Sequence, residues 1–414
     1  MSIPVAKEYI KEFEKMGFGM FVHFGLYSQL GQGEWIFDID DKLEMSEYKK
    51  LKDNFTAEDF NAEEIVLIAK NAGCKYITFT TRHHEGFSLF DTCGLTDFDS
   101  MHSPAKRDLV REFVDACNKH EIVPFFYHTT LDWYNPDFED NFDEYLEYLR
   151  KSVEILCTNY GKIGGLWFDG NWSKPDADWK LDELYGMIRK YQPTAMIINN
   201  TGLNNRGEIV HPEIDSVTFE QGRPAPMDRE DMEKYVSAEM CYTLNQHWGV
   251  GHSDFNYKSP KELIEALCDC RKVGANFLLN IGPEAQGKVN GMSKELMAII
   301  GKWINIFGEA IYKGKAYPTG SIGKNFVLKG EDCFYIFVYN LGSKGNENVT
   351  VNANRSGTYS IFGIDTEIER IEWMDNGEEL KFELDERILM LKLTGMPYGT
   401  DYCVRVAKAY FKQN

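Results

Sequence analysis

Basic residues are scarce in this chain. Its 45 Lys and Arg stand against 65 Asp and Glu, a net charge of -20 over 414 residues. Such a surface repels nucleic acid and anionic membranes, so neither is an expected partner. Long apolar runs are lacking too. Nothing approaches the roughly 18 residues that a membrane span needs. The stretch from Met1 to Met16 is mixed and charged, without the apolar core of a signal peptide. There is no paired cysteine framework: the nine cysteines are scattered, and Cys74, Cys117 and Cys157 sit in apolar surroundings. Reduced, buried thiols in a cytoplasmic protein are the expectation. Cys268-Asp269-Cys270 is too tight for an ordinary zinc knuckle and reads as structural. No internal repeat, low-complexity tract or clear linker is present. The length allows two domains and leaves a homo-oligomer open.

Aromatic residues, by contrast, are plentiful, at 14% with 8 Trp and 22 Tyr. That suits sugar binding, where rings stack on the apolar faces of a pyranose, and it equally suits core packing. Short apolar runs recur along the first three quarters of the chain. Gly17 to Gly25, Lys75 to Thr81, Ile122 to Tyr127, Ile163 to Phe168, Ala195 to Ile198, Ser216 to Phe219 and Asn276 to Ile281 read as strands buried on both faces. Between them lie helical patterns: Glu64 to Ala72 closed by Gly73, Arg107 to His120, Asn141 to Tyr160, Leu181 to Tyr191, a helix opened by Ser259-Pro260-Lys261-Glu262, and Lys294 to Ile304. Residues 238 to 248 read as irregular or partly extended. Strand and helix alternate seven or eight times over about 310 residues, the pattern of a (β/α)8-type TIM barrel. An open doubly wound sheet is disfavoured, because no Gly-rich loop follows the first strand.

After about residue 315 the texture changes to short β-like runs: 333–339, 349–352, 358–362, 368–373, 379–384, 388–393 and 402–407. Asp375-Asn376-Gly377 is a hairpin-turn signal. The expected organisation is an α/β barrel domain at 1–314 and an all-β sandwich at 315–414.

The strand ends carry the chemistry. His23, His83 with His84, His128, Asp169, Asn199 and Glu220 each follow an apolar strand, and core packing does not require that. In a barrel they would converge on one mouth, with Trp35, Trp133, Trp172 and Trp248 available to wall it. Two chemistries could use such a set. One is glycoside hydrolysis by paired carboxylates, with Asp169 and Glu220 on different strand ends. The other is metal-assisted hydrolysis by several histidines and Asp169. The histidines lack HxH or HExxH spacing, and His83 and His84 would face opposite ways on an extended strand unless the chain bends there. A non-catalytic sugar-binding barrel is the further alternative.

At this point motifs accumulate. Ala72-Gly73-Cys74-Lys75-Tyr76 leads to Arg82-His83-His84-Glu85-Gly86-Phe87. Phe21-Val22-His23-Phe24-Gly25, Lys106-Arg107-Asp108-Leu109-Val110, Leu166-Trp167-Phe168-Asp169-Gly170 and Asn276-Phe277-Leu278-Leu279-Asn280-Ile281-Gly282-Pro283 accompany it. Together, and in this order, they resemble the signature of the α-L-fucosidases, glycoside hydrolase family 29, over roughly residues 15 to 310. The resemblance implies a retaining hydrolase on a barrel with a C-terminal β-sandwich, needing no metal or other cofactor. Its partner would be a fucosylated oligosaccharide or glycoconjugate. Asp169 resembles the nucleophile. Glu220, in Ile214-Asp215-Ser216-Val217-Thr218-Phe219-Glu220, best matches a segment bearing the acid/base; Glu239 and then Glu34 are the other candidates. His23, His83, His84, Glu34 and Trp35 match sugar contacts, and Trp248 matches an aromatic that packs on the fucose methyl. Tyr127 and His128 stand beside Phe126, where the family often has tyrosine. Asn199-Asn200-Thr201 replaces a common Asn-Asp-Arg, and Glu85 replaces an Asp.

Overall fold

The computed structural model describes residues 3–321, 323–354 and 357–413. Eight strands, β1 (Phe18–Val22), β2 (Tyr76–Arg82), β3 (Val123–Thr129), β4 (Gly165–Asp169), β5 (Met196–Asn199), β6 (Ser216–Thr218), β7 (Ser237–Tyr242) and β8 (Asn276–Ile281), close into a parallel barrel in chain order. β1 bonds to both β2 and β8. Every residue of β1, β2, β7 and β8 is buried, because side chains on one face fill the barrel and those on the other are covered. Alternation sends Phe21, Tyr127, Trp167, Ile198, Cys241 and Leu278 into one interior cluster. Ile10 and Phe13, from the N-terminal helix Glu8–Met16, join the same cluster. Their neighbours Phe126 and Phe168 point outward onto Tyr160 and Tyr185.

The helices start where the sequence caps them. Asn61 accepts from Glu64 N at 3.0 Å, Asp108 from Arg111 N at 2.8 Å and Ser259 from Glu262 N at 3.2 Å. The alternation is less complete than expected. Helices Ala62–Ala72, Leu109–His120, Phe142–Asn159 and Leu181–Tyr191 follow β1 to β4, but none separates β5 from β6 or β6 from β7. Residues 200–215 and 219–236 are rich in Asn, Gly, Pro and charge and carry no 3.6-residue apolar period, so they run as loops. Helix Pro260–Lys272 precedes β8 and Gly291–Lys313 follows it. The stretch read as irregular or partly extended, 238–248, holds all but the first residue of β7. A buried acid, Glu239, interrupts the apolar pattern there and hides the strand.

Beyond the last helix come β9 (Lys315–Ala316), β10 (Gly320–Ser321), β11 (Phe326–Lys329), β12 (Cys333–Tyr339), β13 (Gly357–Phe362), β14 (Ile368–Trp373), β15 (Lys381–Asp385), β16 (Ile388–Leu393) and β17 (Val404–Phe411). They form two antiparallel sheets, β10-β13-β16-β15 and β14-β17-β12-β11-β9, around one core containing Phe334, Ile336, Trp373, Leu389 and Leu391. One expectation needs correction. Residues 349–352 form a turn, not a strand: Val349 and Thr350 both bond back to Asn346 O, and Val349 and Val351 are exposed. The Asp375-Asn376-Gly377 hairpin turn forms as expected, with Gly377 N on Trp373 O and Leu380 N on Ile371 O, both at 2.8 Å, and Glu372 paired antiparallel to Glu379; beyond Leu380 the chain leaves that pairing, and β15 lies in the other sheet. By compactness the chain divides into Met1–Lys258 with Asn276–Ala298, and Ser259–Ala275 with Ile299–Asn414. That division runs through the last helix, about four turns before the 314/315 boundary read from the sequence. Among the described residues no helix is long and apolar enough to cross a membrane.

Candidate active site

Side-chain parity on the barrel strands sets what reaches the mouth. On β4, Trp167 points inward, so Asp169, two residues on, does too, at the carboxyl end. Gly170 follows at φ 117°, and a Cβ there would come within 2.5 Å of Leu131 N. Only glycine lets β4 turn away so close to the neighbouring loop. A cavity of about 500 Å³ opens above, lined by Phe21, His23, Trp35, His83, Tyr127, Trp167, Asp169, Trp172, Asn200, Glu220 and Trp248, with residues 201–205 at its rim.

Two carboxylates meet in it, and one amide holds both. Asn200 Nδ2 donates to Asp169 Oδ1 at 3.1 Å and to Glu220 Oε2 at 2.7 Å. Those oxygens are therefore no farther apart than the two bonds laid end to end, about 6 Å, close to the spacing of a retaining rather than an inverting pair. Asp169 also accepts from Tyr127 OH at 3.1 Å and Trp172 Nε1 at 2.9 Å, and His84 Nε2 faces it at 3.4 Å. Burial works to raise its carboxyl, but His84, Trp172 and Asn200 outweigh that and hold it below the usual carboxylate range. Glu220 goes the other way. Burial first, then the Asp169 charge, push it up to about 7. Two neighbouring acids are thus driven apart in proton affinity, one ionised and one protonated near neutrality.

Two of the imidazoles, His23 and His83, are neutral by burial. His23 is pushed down to about 3 and His83 well below its ordinary value. His23 Nδ1 lies 2.7 Å from Asn280 Oδ1, which can only accept, so the proton sits on Nδ1 and Nε2 is left as an acceptor. His83 and His84 both serve the mouth because the chain bends where β2 ends: Gly86 N bonds back to His83 O at 3.0 Å, with Gly86 at φ 83°. His84 Nδ1 is fixed by Thr129 Oγ1 at 2.7 Å. Trp35 packs edge-on against His84 and Trp133 and stacks near Trp172; Trp248 lies over His23 and Phe21.

Six sequence-predicted residues do not line the cavity: His84, which faces Asp169 at 3.4 Å, Trp133, which packs edge-on against Trp35, Asn199, His128, Glu34 and Glu239. His128 follows Tyr127, so it points out of the barrel, where Ser152 Oγ at 3.0 Å and Thr81 Oγ1 at 2.8 Å hold its ring. The expectation that it contacts a substrate is not met by this placement. Glu34 lies behind the wall: its Oε2 accepts from the backbone of Trp248 at 3.0 Å and Gly249 at 2.8 Å and so sets the Trp248 loop. Glu239 lies inside the barrel under the floor, bonded by Tyr76 OH and by Trp167 Nε1 at 3.0 Å. Neither lines the cavity. Asn200 is the residue whose role was missed. Its sequence signals were its position, one residue past a strand end, and its place in Asn199-Asn200-Thr201, and neither showed a bridge. Asn199 turns the other way, onto Asn171 and Tyr185. Among the described residues no group of three or more His, Cys, Asp or Glu is arranged to hold a metal ion.

Comparison with known proteins agrees with this geometry. A family model described as alpha-L-fucosidase matches residues 4–309. The tissue alpha-L-fucosidase of Homo sapiens is 29% identical over 363 residues, covering 79% of this chain and 75% of that protein. Among solved structures, alpha-L-fucosidase isoenzyme 1 from Paenibacillus thiaminolyticus is 28% identical, with TM-score 0.82 over 98% of this chain and 99% of its own. An alpha-L-fucosidase from Bacteroides thetaiotaomicron, solved as a trapped covalent intermediate, shares the fold at 23% identity, with TM-score 0.82 over 100% and 98% of the two chains. A closed eight-stranded barrel, a mouth with two carboxylates and a family match over most of the chain lead to one assignment: this chain belongs to the α-L-fucosidase family.

Proposed function

We propose that the protein releases terminal α-L-fucosyl residues from oligosaccharides or glycoconjugates with retention of configuration, using Asp169 as nucleophile and Glu220 as acid/base. The observation that carries this is the Asn200 bridge between one carboxyl held low and one raised to about 7. Ionised Asp169 attacks the anomeric carbon while Glu220 protonates the departing glycosidic oxygen. Ester formation removes the Asp169 charge, which is one of the causes raising Glu220. Glu220 is then a stronger acid, left ionised, and ready to take a proton from the incoming water. Water attacks the ester from the face the leaving group vacated, and Asp169 is released.

Neutral His23 and His83 suit the fucose hydroxyls, since each ring offers a donor and an acceptor. The Trp248 ring, over His23, suits the C6 methyl. Glu34 supports that ring from behind rather than through sugar contact. We also infer a reducing, cytoplasmic setting. Its support is that none of the nine cysteines is in a disulfide and seven of them are buried.

Azide separates the two acids. In Asp169→Gly the small anion should replace the missing carboxylate and yield β-fucosyl azide. With an activated substrate, Glu220→Ala should instead yield the α-azide, because azide then intercepts the covalent intermediate. Exchanged anomers, or normal turnover in Asp169→Gly, would refute these roles.

A further inference from the structure

Glu85 is fully buried, close to the cavity but not part of its lining. Its Oε2 faces His83 Nδ1 at 3.6 Å, and neither atom has another partner among the described residues. That gap is slightly longer than a hydrogen bond, and a small turn of the carboxyl closes it. The other oxygen, Oε1, accepts from Leu26 N at 3.3 Å. The carboxyl is seated against backbone, since a Cβ at Gly25 would collide with Oε1. Tyr27, in the turn Leu26–Gln29, and Tyr48, at the end of helix Met45–Tyr48, face it, as does Tyr127. Burial keeps all three phenols protonated, and none of them bonds Glu85. Burial also comes first for Glu85 itself and raises it to about 8; its own N–H and that of Leu26 work against this, Asp132 adds to it and Arg82 opposes it. At neutral pH Glu85 is a carboxylic acid.

Such an acid has one proton to give. With Oε1 accepting from Leu26, the proton belongs on Oε2, aimed at His83 Nδ1. Nδ1 then accepts, and the ring proton of His83 sits on Nε2. His83 lines the cavity, so an N–H is what it offers there. His23 is the converse. Asn280 Nδ2 donates to Trp248 O at 2.6 Å, which turns its Oδ1 to the Nδ1–H of His23 and leaves His23 Nε2 as an acceptor. The two rings stand edge to face with centroids 5.6 Å apart. A donor and an acceptor side by side match a hydroxyl, which needs both.

We propose that Glu85 is a positioning residue, which through Nδ1 fixes His83 as a hydrogen-bond donor toward the fucosyl group, opposite in sense to His23. The inference rests on the fucosidase reading above and deepens it at one side chain. It also makes the grip on the sugar sensitive to pH. When Glu85 ionises, its proton passes to Nδ1 and Nε2 releases its own to solvent through the cavity. The ring stays neutral, because burial holds His83 well below its ordinary value, but it now accepts where it had donated.

The tautomer can be read without substrate. In protein labelled with ¹⁵N-histidine, long-range proton–nitrogen correlation spectra show which ring nitrogen carries the proton, and the His83 signals are those missing from His83→Gln. The wild type should show Nε2–H near about pH 6 and change to Nδ1–H as pH rises through about 8. Glu85→Gln can donate an amide N–H to Nδ1, keeps an oxygen for Leu26 N and cannot ionise, so its His83 should stay Nε2–H throughout. On a chromogenic aryl α-L-fucoside near about pH 6, Glu85→Leu should lose roughly tenfold in kcat/KM, mainly through KM, and Glu85→Gln should restore most of it. The ratio of Glu85→Gln to wild type should rise roughly tenfold above about pH 8, because the Glu220 limb is common to both and cancels. Nδ1–H in the wild type near about pH 6, no change with pH, the same change in Glu85→Gln, or a flat ratio would overturn the proposal. The expected change of tautomer in a wild type that hydrolyses no fucoside would instead refute the fucosidase reading.

Discussion

Asn200 donates one amide to two acids that must hold opposite protonation states. Its bonds favour the ionised form of both, Asp169 outright and Glu220 against burial and the Asp169 charge. The proposed mechanism requires Glu220 protonated when the bond breaks. With its carboxyl at about 7, kcat/KM on an aryl fucoside should therefore fall as pH rises through about 7. Asp169 must be ionised, so the acid limb should lie below the usual carboxylate range. Asn200→Ala removes a stabiliser of both charges, so both limbs should move to higher pH, read from pH profiles of kcat/KM. A profile that keeps its limbs would detach Asn200 from the pair. This residue also marks the limit of sequence reading. Asp169 and Glu220 were legible because an acid after an apolar strand is conspicuous. Asn200 was not, because a bridging amide is defined by what it lies between, and those partners are 31 and 20 residues away.

At the scale of the element, parity decides more than position does. Tyr127 and His128 are neighbours on β3, yet one reaches Asp169 and the other Ser152. Tyr127→Phe should lower kcat/KM with little change in Tm. His128→Ala should lower Tm, by an amount equivalent to about 1–3 kcal/mol for its orphaned partners, and leave kcat/KM nearly intact. The reverse pattern in activity assays and thermal melts would contradict the inward and outward assignment. The strand end as a signal located His128 correctly along the chain but carried no information about its face. Loops 200–215 and 219–236 were harder to place for another reason: the barrel continues through them without the helices that usually announce each new strand. β7 was obscured by Glu239, whose burial raises it to about 7 despite the bonds from Tyr76 and Trp167. The fold thus favours its protonated form. That contribution is full below its ordinary value near 4.5 and is lost as pH rises through about 7. Glu239→Gln keeps the acceptor for Trp167 and cannot ionise. Its Tm should match the wild type near about pH 5 and exceed it near about pH 8. A wild-type advantage at the higher pH would mean that the carboxylate itself is stabilising.

For the whole molecule, the order of strands, the helix caps and the change to short β-runs after residue 315 gave the architecture from sequence alone, because each rests on local periodicity and turn chemistry. The sandwich was legible as a class but not in its pairing. Asp375-Asn376-Gly377 specifies a tight turn and the short pairing of Glu372 with Glu379 across it, and nothing local says that beyond Leu380 the next strand, β15, joins the other sheet. Barrel, mouth and family together lead to one central claim, that a fucosyl group passes through a covalent bond to Asp169. Trapping it is the most direct measurement. A 2-deoxy-2-fluoro-α-L-fucosyl fluoride needs no acid to expel fluoride, while its electron-poor ring and the Glu220→Gln substitution slow release. Mass spectrometry of a peptide digest should then find one fluorofucosyl group on Asp169. A label on Glu220, Glu239 or any other residue, or no label while fluoride is released, would contradict the account.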